Sequence, residues 1–93
     1  MFIYLLNLEI KIYEAYSIKD KRRIVKSILD YARNTLKISS AEISNNDIIN
    51  LAHLGFVTIS NDNDTARSIL EKLVERIEGN YPLQITNYTI ERI

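Results

Sequence analysis

The stretch LAHLGFVTIS, Leu51–Ser60, decides the fold of this chain. It is a nearly continuous apolar run rich in residues that favour β-structure, and the polar cluster SNDND follows it at positions 60–64. A short apolar run bounded by turn residues is typical of a strand that is buried on both faces. The run therefore predicts a central strand of a sheet, in which Gly55 marks a bulge or a close backbone approach.

The residues after this strand predict a helix and a last strand. The helix spans about Asp64–Glu78, and Gly79 ends it in the usual way for a helix C-terminus. The strand spans about Leu83–Arg92, and its apolar phase shifts between Ile85 and Tyr88, which predicts a bulge or an irregular start. The predicted inward residues of the helix share a 3.6-residue period: Ala66, Ile69, Leu70, Leu73, Val74 and Ile77.

Upstream of the central strand, the chain predicts three further elements. Residues 2–12 alternate apolar and polar, which is typical of a half-buried strand. Ser17 is a suitable N-cap for a helix that runs from Ile18 to about Leu36, because a serine hydroxyl accepts a bond from an unpaired amide of the first turn. Ile38–Ser44 predicts a second strand, and the Asn-Asn-Asp at 45–47 predicts a turn.

The element order is therefore β-α-β-β-α-β. This order predicts an α+β, ferredoxin-like fold, in which four strands form one antiparallel sheet and both helices cover the same face. A chain of 93 residues fits one domain, here residues 1–93. The apolar start, MFIYLL, is too short for a membrane span and has no basic n-region, so we read it as a strand.

Composition and motifs favour a binding protein over an enzyme. The chain has no cysteine, which excludes disulfides and thiolate sites and suits a reducing cytoplasm. It lacks a P-loop, a GxGxxG, a nucleophile elbow and metal-ligand spacings, so we expect no cofactor and no metal. The one histidine, His53, lies within the apolar strand and is interpreted as a structural residue.

The zero net charge hides an uneven distribution. Residues 17–37 contain seven basic and two acidic residues, a net charge of +5, and the rest of the chain contains five basic and ten acidic residues, a net charge of −5. On a helical wheel, six cations fall on one arc beside the apolar face, and Asp30 alone interrupts them. We call this set the basic stripe: Lys19, Arg22, Arg23, Lys26, Arg33 and Lys37.

Three interpretations of the basic stripe stay open: a polyanion-binding surface, an acidic protein partner, and a merely solvated face. The second helix mixes both signs and is interpreted as solvated. Tyr13 and Tyr16, in the loop before the basic helix, are candidates for partner contact or for loop packing. Lys21 lies at the edge of the apolar arc, so its stem is expected to pack. Glu42 is expected to be partly buried and paired with a cation of the first helix.

Three segments resemble the YlxP-like family of small uncharacterised bacterial proteins. They are SIKDKRRIVK at 17–26, SAEIS at 40–44 and LGFVTISND at 54–62, and the resemblance covers nearly the whole chain. It implies a ferredoxin-like fold, a cytoplasmic protein and, from the usual neighbours of the family's genes, a role near the ribosome. One departure is DIIN at 47–50, where family members often carry an aromatic residue.

The first functional hypothesis is thus a non-enzymatic accessory protein that binds RNA or a ribosomal particle through the basic stripe. The alternative is an oligomerising or small-ligand module, because a ferredoxin-like sheet leaves one face uncovered and exposed apolar area there calls for a partner. No membrane partner is expected.

Overall fold

A computed structural model describes residues 1–44 and 48–93 of the protein. The turn predicted at 45–47 lies outside the described residues. The elements, in chain order, are β1 (Phe2–Ile12), α1 (Ile18–Asn34), β2 (Ser39–Glu42), β3 (Leu51–Ser60), α2 (Asn63–Asn80) and β4 (Leu83–Arg92).

The four strands form one sheet in the order β2-β3-β1-β4, and every neighbouring pair is antiparallel. The predicted ferredoxin-like fold is confirmed. The apolar run Leu51–Ser60 is a central strand, as predicted, because β3 lies between β2 and β1. The sheet therefore has two free edges, β2 on one side and β4 on the other.

The core lies between one face of the sheet and both helices. Every second residue of β1 from Tyr4 to Ile12 is buried, so the predicted alternation is confirmed. The residues with no exposed surface come from the central strands β1 and β3 and from both helices: Leu6, Leu8, Leu54, Phe56, Ile28, Ala32, Ala66, Leu70, Leu73 and Ile77. Because both helices pack on this face, the opposite face of the sheet is left open.

The first helix begins as predicted and ends earlier. The Ser17 hydroxyl accepts a hydrogen bond from the Asp20 amide at 3.1 Å, which makes Ser17 the N-cap. The helix ends at Asn34, not near Leu36. Lys37 then has a left-handed backbone with a φ of 58°, and this turn lets the Ile38 amide donate to the Ala32 carbonyl at 3.1 Å.

The other boundaries also differ in detail. The second helix starts at Asn63 with Asp62 as N-cap, and it continues through Gly79, which is therefore a helical residue and not its end. The second strand is shorter than predicted, since only Ser39–Glu42 pair with β3. The bulge predicted in β4 is confirmed, because the register with β1 shifts between Glu9 and Ile10.

Gly55 pairs with Asn7 on one side and Ala41 on the other in regular register, so the predicted bulge at this glycine is wrong. A Cβ atom built at Gly55 would lie 2.8 Å from the Ile43 Cδ1 atom. The close approach is thus made by a side chain that lies across the open face of the sheet.

Candidate nucleic-acid interface

Five of the six cations of the basic stripe lie on α1 and are exposed: Lys19, Arg22, Arg23, Lys26 and Arg33. Arg22, Lys26 and Arg33 lie on the side of α1 that faces β2, and none of these three lies on the side that faces α2. Contacts with β2 show this, since the Arg33 guanidinium and the Leu29 carbonyl both bond Ser40. The stripe therefore runs along one edge of the molecule.

Part of the stripe forms the wall of a groove between α1 and β2. The groove has a volume of about 340 Å³. Its lining combines three cations, two carboxylates and two apolar residues: Arg22, Lys26, Arg33, Asp30, Glu42, Val25 and Leu29. We call it the basic groove. Lys19 and Arg23 do not line it and extend the positive charge onto the outer surface of α1.

Two of the groove cations have partners within the chain. The Lys26 ammonium lies 2.7 Å from an Asp30 carboxylate oxygen, with both side chains exposed. An exposed pair of this kind contributes at most about 1 kcal/mol, so Lys26 exchanges this partner for another anion at little cost. The Arg33 guanidinium donates to the Ser40 carbonyl at 2.7 Å, and its remaining N–H groups still face the groove region.

The remaining helix cations are less engaged. Within residues 1–44 and 48–93, no ion pair involves Lys19, Arg22 or Arg23. These three cations and Lys26 therefore present positive charge that the described part of the chain does not neutralise, apart from Asp30.

The sixth predicted member, Lys37, is not part of the helical stripe. The wheel placed it there by extending the helix, whereas α1 ends three residues earlier and Lys37 has a positive φ. Its side chain is exposed beyond the helix end and does not line the basic groove. We therefore restrict the candidate interface to the five cations of α1.

Lys21 is buried, with 3% of its surface exposed, so the expected packing of its stem is confirmed. Its ammonium donates to the Ile48 carbonyl at 3.0 Å and lies apart from the stripe. Lys21 therefore has a structural role, in which it ties α1 to the segment before β3.

The expectation for Glu42 is wrong. The residue is exposed, and it forms no ion pair with any residue that the structure describes. The reason is its position at the end of the short edge strand β2, where the side chain lies at the rim of the basic groove instead of beneath the helix.

The loop tyrosines lie at one end of the stripe. Tyr16 is exposed, and its backbone amide donates to the Asp20 carboxylate at 3.1 Å, which holds it at the start of α1. Tyr13 is half exposed, and its amide donates to the Pro82 carbonyl at 2.8 Å. Neither aromatic ring belongs to the core cluster, so both rings are available at the surface.

His53 lies on the open face of the sheet, where its Nε2 atom is 3.2 Å from the Asn7 side-chain oxygen. This contact agrees with a structural residue. In the described ranges, no group of three or more side chains that bind metals comes together.

Sequence reasoning missed a second charged groove, at the opposite edge of the molecule. It lies between α2 and β4, has a volume of about 640 Å³, and is lined by Glu71, Val74, Glu75, Glu78, Gly79 and Tyr88. We call it the acidic groove. The helix mixes signs along the sequence, but the spacing of the glutamates, at i, i+4 and i+7, was a signal that they share one side.

Two of the three cations of α2 are turned away from this groove or paired with one of its glutamates, and the third, Lys72, is exposed and does not line the groove. The Arg76 guanidinium lies 4.5 Å above the Tyr31 ring, on the side that faces α1. The Arg67 side chain bonds Glu71 at 2.9 Å. Glu75 and Glu78 form no ion pair with any described residue, so the lining of the acidic groove, which contains no cation, has a net negative charge.

Comparison with solved structures agrees with the fold. The protein is similar to a de novo designed protein with a ferredoxin fold, LFR1 1, whose solution structure was determined by NMR. The TM-score is 0.60 at 20% sequence identity, and the match covers 100% of this chain and 84% of the designed one. At this identity the likeness shows the fold alone.

The profile of a family described as a protein of unknown function, DUF503, matches residues 3–90, and the chain belongs to that family. No curated protein matches it. Of the two helices, within the described residues, neither is apolar enough over its length to cross a membrane.

Proposed function

We propose that this protein is a non-enzymatic binding protein that binds RNA through the α1 side of the basic groove. The observation that carries the proposal is the arrangement of five exposed cations along one edge, three of them lining a groove beside β2. The groove offers charge and shape to a ligand. Its cations attract phosphates, and its two carboxylates are acceptors of the kind that bond the amino group of a base such as cytosine.

The physical basis is the release of counterions. A cation that neutralises a phosphate frees a condensed counterion, so binding weakens linearly with the logarithm of salt concentration, with a slope of roughly −0.7 per contact for a single strand. Five contacts therefore correspond to a slope of roughly −3.5. At a rise of about 1.5 Å per residue, the cations from Lys19 to Arg33 span roughly 21 Å of helix.

Exposed aromatic residues support single-stranded RNA as the ligand. Tyr16 lies at the N-terminal end of α1, next to Lys19 in the stripe. Stacking of a base on an exposed aromatic ring contributes about 1–3 kcal/mol and needs an unpaired base. A strand whose phosphates follow the cations could place one base on this ring.

A cytoplasmic location and a role near the ribosome are part of the proposal. They rest on the resemblance of the segment at 17–26 to the YlxP-like motif, which falls on the N-terminal half of the stripe. A ribosomal particle or a ribosome assembly intermediate is accordingly the RNA that we propose as the natural partner.

The test compares two variants of equal charge change. In R22E/R23E, two cations of the candidate interface are reversed; in the control K11E/K72E, two exposed lysines elsewhere are reversed. Binding of a fluorescent single-stranded RNA oligonucleotide is measured by anisotropy over a range of salt. We expect R22E/R23E to lose at least about tenfold in affinity and to flatten the salt slope by about 1.4, and the control to change both far less.

Cosedimentation with ribosomal particles from a lysate gives the second readout. We expect the protein to travel with the particles and K19E/R22E/R23E/K26E to stay in the supernatant. Equal loss in both charge-matched variants would mean that only net charge matters. That result, or equal retention in the pellet, would overturn the proposal for α1.

The alternative, self-association through the open face of the sheet, keeps some support. Ile59 and Ile43 are more than half exposed on that face, and Ile93 lies at its end. The pocket there measures about 180 Å³, below the roughly 300 Å³ of typical ligand pockets, so the geometry favours a protein contact over a small ligand. An Ile59→Lys variant that remained a monomer where the native chain dimerised would support it.

A further inference from the structure

We infer that the acidic groove between α2 and β4 is a docking surface for a second copy of this chain, which presents its α1 edge to it. This contact goes beyond RNA binding and involves a surface that RNA does not use. It rests on the charges of the two edges, on the direction in which each edge faces, and on the level of the charged residues along the helices.

The charges of the two edges are opposite. The α1 edge carries five exposed cations, and within the described residues only Asp30 pairs with one of them. The α2 edge carries three glutamates on one side of the helix, of which only Glu71 has a cation partner. Such an arrangement brings complementary potentials together and disfavours contacts between like edges, since juxtaposed like charges cost several kcal/mol.

In this fold, a sideways translation of a second copy is enough to bring its α1 edge beside the α2 edge of the first. Both helices cover the same face of the sheet, α1 beside the edge strand β2 and α2 beside the edge strand β4. Neighbouring strands are antiparallel, so β2 and β4 run in opposite directions. A second copy moved sideways therefore continues the alternation of strands and brings its basic groove beside the acidic groove of the first.

The cations of the α1 edge and the glutamates of the α2 edge also lie at similar heights along the helix axes. Ser27 bonds the hydroxyl of Tyr81 and Arg76 stacks on Tyr31, so α1 and α2 are antiparallel and these pairs are level. Continuing along both helices brings Arg33 level with Glu75. Lys26 is about one turn from the level of Glu78, within the reach of a lysine side chain.

We assign this contact to side chains and not to strand addition. The Arg33 guanidinium already occupies the Ser40 carbonyl at the free edge of β2, and β2 has only four residues. A blocked, short edge strand is a poor template for pairing with another strand. The apolar part of the contact is supplied by Tyr88, which is half exposed beside the acidic groove.

The symmetry of this contact determines how many copies can associate. The contact joins two different surfaces, so it is heterologous, and an open chain of any length still presents one free basic edge and one free acidic edge. Association therefore proceeds to chains or closed rings and does not stop at a dimer unless a ring closes. A polyanion bound to α1 would compete with the next copy for the same cations.

The experiment is a charge exchange, read by sedimentation velocity over a concentration series at about 50 mM and about 500 mM salt. K26E/R33E makes the linings of both grooves acidic, and E75K/E78K makes the linings of both grooves basic. We expect the native chain to gain mass with concentration at low salt only, and each variant alone to associate at least about tenfold more weakly. An equimolar mixture should associate again, because the edges are then complementary between the two variants.

The controls change charge by the same amount elsewhere: K11E/K72E for the first variant and E9K/E91K, on the open face, for the second. Neither control should associate more weakly than the native chain, because Lys72 lies on α2 beside Glu71 and its reversal leaves the acidic edge at least as negative. A constant monomer mass of the native chain overturns the inference, as does a mixture that fails to associate. If E75K/E78K associated like the native chain while Ile59→Lys did not, the contact would belong to the open face instead.

The outcome is separable from RNA binding. E75K/E78K keeps every cation of α1, so it should bind the RNA oligonucleotide at least as tightly as the native chain whether or not copies associate. Loss of self-association with RNA binding intact would thus confirm the role of the acidic groove.

Discussion

The two helices bury similar apolar faces and present opposite charges at the two edges of the molecule. On α1 three cations line the side that faces β2, and on α2 the glutamates without an ion pair to a described residue line the side that faces β4. Their inner faces pack on the same side of the sheet. The core therefore fixes where each helix lies. The outer residues contribute little to stability, and they determine what each edge can bind.

The buried faces of α1 and α2 should respond alike to the truncation of a core side chain. Ile28 in α1 and Leu73 in α2 have no exposed surface, so truncation of either to alanine leaves a cavity. We expect Ile28→Ala and Leu73→Ala each to lower the free energy of unfolding by about 2–5 kcal/mol, measured by urea denaturation. A cost below about 1 kcal/mol for one of them would show that its helix is packed less tightly than the other.

One buried residue distinguishes α1 from α2. Lys21 is a cation in the inner face of α1, and its ammonium bonds the Ile48 carbonyl, whereas the buried residues of α2 are all apolar. Lys21→Met keeps the length of the stem and removes the donor. We expect a loss of about 1–3 kcal/mol in urea denaturation, since the Ile48 carbonyl then loses a hydrogen bond from a charged donor.

The matched control is Lys11→Met, at an exposed position of β1, which should change stability by less than about 0.5 kcal/mol. Equal effects of the two substitutions would contradict the structural role of Lys21. Neither residue belongs to the candidate interface, so RNA affinity should change little in both.

The fold was predictable because its signals are local and strong. The alternation of β1, the apolar run of β3 and the caps at Ser17 and SNDND each follow from a short stretch of chain, and together they fix the element order. Helix ends were less predictable. A period continues past the last helical residue, so Leu36 fitted the apolar arc although Lys37 breaks the helix with a left-handed turn.

The candidate interface was predictable only in part. Five cations were placed correctly because a helical wheel needs no tertiary information. The groove beside β2 and the exposure of Glu42 depend on how an edge strand sits against a helix, which spacing does not reveal. The acidic groove was missed because Arg67 and Arg76 balance the glutamates in the sequence, whereas in the fold Arg76 is drawn to Tyr31.

The N-caps of the two helices provide a comparison by pH. Asp62 caps α2, and its pKa is lowered by hydrogen bonds from the Thr65 hydroxyl and the Thr65 amide, whereas Ser17 caps α1 without a charge. A lowered pKa in the folded state means that the carboxylate stabilises the fold above its ordinary pKa of about 3.8, and that this contribution is lost as pH falls through the lowered value.

We therefore expect the thermal stability of Asp62→Asn to depend less on pH than that of the native chain between about pH 5 and pH 2. Ser17→Ala should instead lower stability by about 1 kcal/mol equally at all pH values. Melting temperatures followed by circular dichroism across this range test both expectations. Parallel pH curves for Asp62→Asn and the native chain would contradict the role of the Asp62 carboxylate.

The smallest expected effect concerns the end of α1, where the comparison between helices turns on one backbone angle. Lys37 has a φ of 58°, whereas Tyr81, the C-cap of α2, has an extended conformation. A non-glycine residue in the left-handed region destabilises the fold by about 1–2 kcal/mol, and glycine avoids this cost. Glycine also loses more conformational entropy on folding, which offsets part of the gain. Lys37→Gly should therefore raise the free energy of unfolding by up to about 1 kcal/mol.

Lys37→Ala is the matched control, because it removes the same charge and keeps the side-chain strain. We expect no stabilisation from it, and we expect both substitutions to weaken RNA binding much less than R22E/R23E, since Lys37 does not line the basic groove. If Lys37→Ala reduced RNA affinity as strongly as the double reversal on α1, the binding surface would extend past the helix end, and the restriction of the interface to five cations would be wrong.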